Sequence, residues 1–297
     1  MPQSKLAWQS KLVLLIVLPF AAAHLVLETH WWTEQAAPVA IWSLGLSLLL
    51  GLIVLKLHAA TPAGAFTGAV ITASLMFSTA TFPYQPWRTA LPPVLAVSLL
   101  AWSSTKLGRK RKEQLGTAEN RRGRSAAQVA ANLGVAALAC SEFSQSWLID
   151  THWFSPVHTL APVPLLAVGL AALAEAAADT VSSESGQVLG GRPRMITTFR
   201  AVETGTDGAI SPAGTLAGVV AAAIVAGVGA VALGGNLALF WISGAGGVFG
   251  LLFDSLLGAT MERRGWQNND AVNLLSTASA AGFALGLVAI FSHLGGG

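Results

Sequence analysis

Apolar residues run through this chain in long blocks separated by short polar segments, at about 12–27, 37–57, 63–80, 89–105, 125–142, 159–178, 212–233, 237–259 and 271–293. A helix that crosses a bilayer needs about 20 mostly apolar residues. The pattern therefore predicts an all-α fold, a polytopic integral membrane helical bundle of about nine transmembrane helices. The 63–80 block is the most dilute, since Thr61, Gly64, Thr67, Gly68, Thr72 and Ser74 fall in or beside it. Such small residues fit either a re-entrant segment or close helix contact within a membrane.

Composition agrees with the pattern. The 297 residues are 53% hydrophobic and 10% charged, too little polar surface to cover a water-soluble domain. The single cysteine, Cys140, lies inside a predicted span and has no intramolecular partner. The Lys and Arg residues supply an independent test, because short cytoplasmic loops are enriched in them. With the N-terminus cytoplasmic, the inner segments hold Lys5 and Lys11, Lys56, the run from Lys106 to Arg124, then Arg192, Arg194 and Arg200, and finally Arg263 and Arg264, and only Arg88 falls outside. Trp31, Trp32, Trp87, Trp147, Trp153 and Trp266 stand at predicted helix ends, where an amphipathic indole prefers the interface.

The polar residues divide the chain softly. Residues 1–105 read as N-terminal transmembrane helices forming a scaffold. Residues 106–297 read as a catalytic transmembrane region with cytoplasmic loops 106–124, 179–211 and 260–270. The first loop, KLGRKRKEQLGTAENRRGR, carries eight basic side chains. Its Lys110–Lys112 run reads as a topology determinant resting on anionic headgroups. Arg121, Arg122 and Arg124 lead instead into a helix through Ser125, an N-cap, and a helix start flanked by arginines suits a phosphate. Gln128 and Asn132 continue from Ser125 on one helix face, a polar line fitted to a ligand or to helix contact.

Three later segments carry chemistry. Glu175 and Asp179 are four residues apart in EAAADTVSSESG and so share a helix face, where two carboxylates repel unless a cation or proton intervenes. Glu184 follows closely enough to return to the same point. Gly205, Thr206, Asp207 and Gly208 form a turn that leads through Ser211 and Pro212 into the next helix, offering free backbone N–H groups to an anion. Asp254 stands on a stripe with Gly247, Gly250 and Gly258, while Asn273, Ser276 and Thr277 open the last span. An Asp on a helix-packing stripe requires a metal or a partner. The topology puts all of these at the cytoplasmic ends, where carboxylates, hydroxyls and helix N-termini suit a Mg²⁺-bound polyphosphate.

Taken in order, ENRRGRSAAQVAANLG, ADTVSSESG, ITTFRAVETGTDGAISPAGTLAG, FDSLLGAT and NDAVNLLST resemble the transmembrane-protein-19-like family, also called domain of unknown function 92. Its plant member is phytyl-phosphate kinase of tocopherol synthesis, and the resemblance covers roughly residues 40–290. It implies a CTP-dependent kinase that converts an isoprenoid monophosphate to the diphosphate. It places the acidic motif on Asp179, Ser183 and Glu184. The Gly-rich segment falls on Thr197, Thr198, Gly205, Thr206, Gly208, Ser211 and Gly214, and the later motifs on Asp254, Ser255, Asn273 and Ser276. Ser182 and Ser183 stand where Ala and Ser are usual, and Asp207 where a neutral residue is often found.

The expected site therefore has Asp179 and Asp254 as catalytic residues and, with Glu184, as Mg²⁺ ligands. Thr197, Thr198, Gly205, Thr206, Gly208, Ser211, Asn273 and Ser276 would hold the phosphates of CTP or another nucleoside triphosphate. Arg122, Arg124 and Asn132 would hold the acceptor phosphate. Expected partners are the nucleotide, an isoprenoid monophosphate and membrane lipid, with no nucleic acid and with an oligomer compatible. A cytidylyltransferase acting on a lipid phosphate and a carrier of polyprenyl phosphates or ions remain alternatives.

Overall fold

The computed structural model describes residues 6–118, 122–150, 162–235 and 237–294. Lys5, Arg121, Trp153 and the start of the 159–178 block lie outside the described residues. The elements are, in order, α1 (Ala7–Lys56), α2 (Pro62–Ser78), α3 (Leu91–Lys106), α4 (Arg109–Leu115), α5 (Ala126–Cys140), α6 (Glu142–Asp150), α7 (Pro162–Leu189), β1 (Arg194–Met195), β2 (Ala209–Ile210), α8 (Pro212–Ala232), α9 (Leu237–Leu257) and α10 (Asn269–Leu294). A π-helical turn, Gly258–Glu262, follows α9.

The first two predicted blocks form one element, and its course follows from its contacts. Ala36 has non-helical angles of φ −156° and ψ 75°, two residues before Pro38, whose ring cannot continue the hydrogen-bond ladder. Ser74 on α2 hydrogen-bonds His24 Nδ1 at 2.9 Å, and Ser47 donates to Met76 Sδ at 3.4 Å. In a straight helix residues 24 and 47 would stand about 35 Å apart. Both meet α2 within one turn, so the chain folds back at Ala36, where Trp32, Val39, Ala40 and Phe77 pack together.

Among the described residues five helices are long and apolar enough to cross a membrane: α1, α7, α8, α9 extended through Glu262, and α10. Two shorter apolar helices, α2 and α5, correspond to the dilute 63–80 block and to the 125–142 block.

Helix α7 is the axis of the bundle. Its Ala-rich run from Leu165 to Ala178 is buried throughout, and it packs against α3, α5, α8, α9 and α10. Small side chains permit that approach, because in lipid helices associate by close packing and not by burying apolar surface from water. The partners contribute glycines at the contacts. A Cβ added to Gly247 on α9 would lie 2.7 Å from Ala174 Cβ, and one added to Gly218 on α8 would lie 2.8 Å from the Ala178 carbonyl oxygen. Large apolar residues face outward, among them Leu15, Val26, Ile41, Leu48, Leu99, Val231 and Trp241. An apolar exterior around an alanine interior is what a hydrocarbon surround requires.

Candidate functional site

Helix α7 runs on to Leu189, beyond residue 178 where its span was expected to end, so Asp179 lies inside the helix, and there it meets Asp254 in the last turn of α9. The carboxyl groups of Asp179 and Asp254 lie side by side, and Ser183 Oγ donates to Asp179 Oδ1 at 3.4 Å. Asp254 Oδ1 is buried without a partner. One turn earlier on α7, Glu175 is 1% exposed, with both carboxylate oxygens buried and unpartnered. It packs against Gly250, the glycine of the α9 stripe whose missing side chain makes room for it. Glu262, in the π-helical turn, approaches the same pair. A cation facing this group is Arg124, which lies close to Asp179 and donates from Nη2 to Thr180 Oγ1 at 3.3 Å.

Arg124 is held by its backbone. Its N–H donates to Ala59 O at 3.0 Å and its carbonyl accepts from Thr61 N at 2.9 Å, pinning the start of α5 to the loop before α2. Ser125 caps α5 in a reciprocal capping box with Gln128. Arg122 is exposed beside it. Further along α5, Asn132 donates to Gln128 O and accepts from Asn273 Nδ2 at 3.3 Å, so the polar line leads to α10. Ser276 is fully buried and donates to Asn273 O at 3.1 Å.

The Gly-rich loop forms a compact unit over this end. β1 pairs antiparallel with β2, Arg194 opposite Ile210 and Met195 opposite Ala209. Gly205 and Gly208 have φ of 90° and 74°, the left-handed region that suits glycine. Gly208 lies directly on the π-helical turn: a Cβ there would stand 2.5 Å from Ala259 Cα, and one on Gly258 would stand 2.8 Å from Gly208 N. The glycine stripe of α9 thus runs past Asp254 and ends against the turn. Ser211 accepts from Gly214 N at 3.2 Å and caps α8. Thr206 donates to Glu203 O, while Thr197 and Thr198 are exposed on the turn after β1. Partial burial holds the Asp207 carboxyl above the ordinary aspartate range, with Arg263 pulling it the other way.

Glu184 faces a different partner. Its Oε2 pairs with Lys112 Nζ and its Oε1 accepts from Thr105 Oγ1 at 3.2 Å. Lys112 is 1% exposed and also donates to the Ser104 and Thr105 carbonyls at 3.0 and 2.9 Å. In the sequence Lys112 reads as part of a run that rests on lipid headgroups. Nothing in the sequence separates Lys112 from its basic neighbours; the fold does, by burying its side chain against α3 and α7. Glu175 was visible as the i, i+4 partner of Asp179, but Glu262 carried no sequence signal.

Among the described residues, no three His, Cys, Asp or Glu side chains are grouped so as to enclose a metal ion. Mg²⁺ is commonly held by one or two carboxylates together with substrate phosphates and water. The buried, unpartnered oxygens of Glu175 and Asp254 are hard donors of the kind such an ion takes.

The profile of a family described as integral membrane protein DUF92 matches residues 45–281. The chain belongs to this family. It is therefore a multi-pass integral membrane protein of the all-α class. A 213-residue stretch is 32% identical to an uncharacterized membrane protein of Synechocystis, covering 68% of this chain and 75% of that one. A 108-residue stretch is 47% identical to an uncharacterized membrane protein of Methanocaldococcus jannaschii, covering 36% of this chain and 45% of the relative. Over 186 residues the chain is 30% identical to the protein VTE6, chloroplastic, of Arabidopsis thaliana, covering 62% of this chain and 54% of that one. No solved structure matches.

Proposed function

We propose that this DUF92 protein is a CTP-dependent isoprenoid monophosphate kinase, forming the diphosphate at the cytoplasmic face of the membrane. The observation that carries the proposal is the meeting of Asp179 and Asp254 beside Arg124, one helical turn from the Gly208 turn. Likeness to VTE6 and the motif resemblance to phytyl-phosphate kinase support the choice of substrate class.

In this reading Asp179 and Asp254, with the buried Glu175 behind them, would hold Mg²⁺, while Glu184, expected as a third ligand, pairs with Lys112 and anchors α4 beside them. The ion would neutralise charge on the nucleotide phosphates. The backbone N–H groups from Gly205 to Ser211 cradle those phosphates, with Thr197, Thr198, Asn273 and Ser276 at their margin. Arg124, with Arg122 and Asn132, orients the acceptor. An oxygen of the acceptor phosphate attacks the γ-phosphorus, the bond from that phosphorus to the β–γ bridging oxygen breaks, and CDP leaves. A phosphate monoester is already anionic near neutral pH, so the attack needs no general base. Catalysis is then mostly positioning and charge neutralisation.

Incubating the purified protein with phytyl monophosphate and γ-labelled CTP tests this. Label in the lipid diphosphate is expected. Label in pyrophosphate would instead make the protein a cytidylyltransferase, and lipid phosphate flux in proteoliposomes without nucleotide consumption would make it a carrier. Asp254 in the last turn of α9 and Asn273 near the start of α10, beside the Gly208 turn, favour the enzyme over a carrier, whose site would lie near mid-membrane.

A further inference from the structure

A second feature of the molecule lies in the part of the chain that the sequence suggested was scaffold. Between the second half of α1, α2, α3 and α5 runs a groove that encloses a cavity of about 120 Å³. Its walls are largely apolar. Gly51, Gly68 and Ala69 line one side, Val94, Val97 and Ala101 the other. Space is open beside Gly68, where an added Cβ would meet only Val129 Cγ1 at an ordinary 3.6 Å.

The groove changes character at one end. His58, Lys106, Arg109 and Arg124 line its mouth together with Thr105; Arg109 also pairs with Glu113 at 3.2 Å, and no Asp or Glu is among the described lining residues. Trp102, also in the wall, keeps its indole N–H buried without an acceptor. A long apolar slot closed by four cationic or potentially cationic side chains is complementary to an amphiphile with one thin hydrocarbon chain and a phosphate head. It does not suit a nucleotide, whose base and ribose require polar partners along their length.

The mouth is also connected to the acidic pair. Arg124 lines the groove and at the same time bonds Thr180, next to Asp179. Thr105 lines the groove and donates to Glu184. Asn132 lines it and bonds Asn273. A phosphate held at Arg124 would therefore stand beside Asp179, with its tail directed away along α2 and α3.

We infer that this groove is the binding site for the hydrocarbon tail of an isoprenoid monophosphate, with His58, Lys106 and Arg109 gripping the phosphate alongside Arg124. The inference deepens the kinase reading and rests on it for the identity of the ligand. It assigns residues 50–106 to substrate binding.

The test is a binding measurement on the full chain in lipid nanodiscs, using a phytyl monophosphate with a diazirine in its tail. On irradiation, label is expected in the α2 and α3 peptides that contain Gly68 and Val97, and unlabelled phytyl monophosphate should compete at least tenfold better than phytol. Gly68→Leu should weaken binding of phytyl monophosphate at least tenfold with the CTP-induced thermal shift unchanged. Lys106→Ala combined with Arg109→Ala should abolish the preference for the phosphate over the alcohol. Label confined to the lipid-facing exterior, or competition by phosphatidylglycerol as strong as that by phytyl monophosphate, would overturn the inference, the latter in favour of a bilayer lipid. Wild-type photolabelling keeps the inference falsifiable where a variant fails to fold. Specific labelling without phosphoryl transfer would remove the kinase reading and leave the groove standing. Transfer with label outside the groove would do the reverse.

Discussion

Lys112 Nζ closes on Glu184 Oε2 across the interface between α4 and α7, tying the basic loop to the helix that carries Asp179. The lysine is 1% exposed and the glutamate 11%, so neither charge is solvated well enough to lose the other. Removing one partner of a buried pair costs about 3–5 kcal/mol. Lys112→Met should therefore lower the thermal unfolding temperature in detergent markedly, and the double variant with Glu184→Gln should recover part of the loss. Equal melting of Lys112→Met and wild type would show that the pair contributes nothing.

Asp179→Asn and Asp254→Asn should each reduce phosphoryl transfer by more than about a hundredfold, because each removes charge from the point where the nucleotide phosphates are neutralised. Both substitutions relieve repulsion between neighbouring carboxylates, so unfolding temperatures should hold or rise. Initial rates with labelled CTP, set beside melting curves, separate these two effects. Full activity in either variant would exclude that residue from the chemistry.

Gly208 combines a left-handed backbone with a neighbour, Ala259, that leaves no room for a Cβ. A left-handed conformation alone costs a non-glycine residue about 1–2 kcal/mol. Gly208→Val should displace the turn from the end of α9 and raise the KM for nucleotide more than that for the lipid substrate. A parallel rise in both would argue against a role for the turn in holding the nucleotide.

The Asn132–Asn273 bond joins α5 to α10 below the acidic pair. Interhelical polar contacts in membranes couple by about 0.6 kcal/mol and reach about 1.7. A double-mutant cycle with Asn132→Leu and Asn273→Leu should return a coupling in that range from unfolding equilibria in detergent.

Much of the candidate site could be read from the chain, and for identifiable reasons. Asp179 and Asp254 are carboxylates in otherwise apolar helices, where a charge is costly enough to be conspicuous. Gly205, Gly208, Ser211 and Pro212 follow a turn-and-cap pattern that has a local physical meaning, and the structure has the turn and the cap. Lys112 and Glu184 could not be paired in advance, since each sits in a polar segment with several equivalent neighbours. The groove was hidden for a related reason. Gly51 and Ala101 are unremarkable in sequence, Gly68 reads there only as a small residue of a dilute block, and the three become a wall only when their helices converge.

The alternation of apolar blocks and basic loops by itself determined that the chain is a helical membrane protein, because hydrocarbon accepts only segments whose backbone groups bond internally. It also determined which residues are polar where polarity is expensive. The tertiary structure decided what those residues meet. Asp179 faces Asp254 and Arg124, Glu184 faces Lys112, and α1 turns back on itself at Ala36. Local pattern reports the preference of a segment for its solvent. Which side chains become neighbours depends on how small residues let distant helices approach, and that is a property of the packed bundle alone.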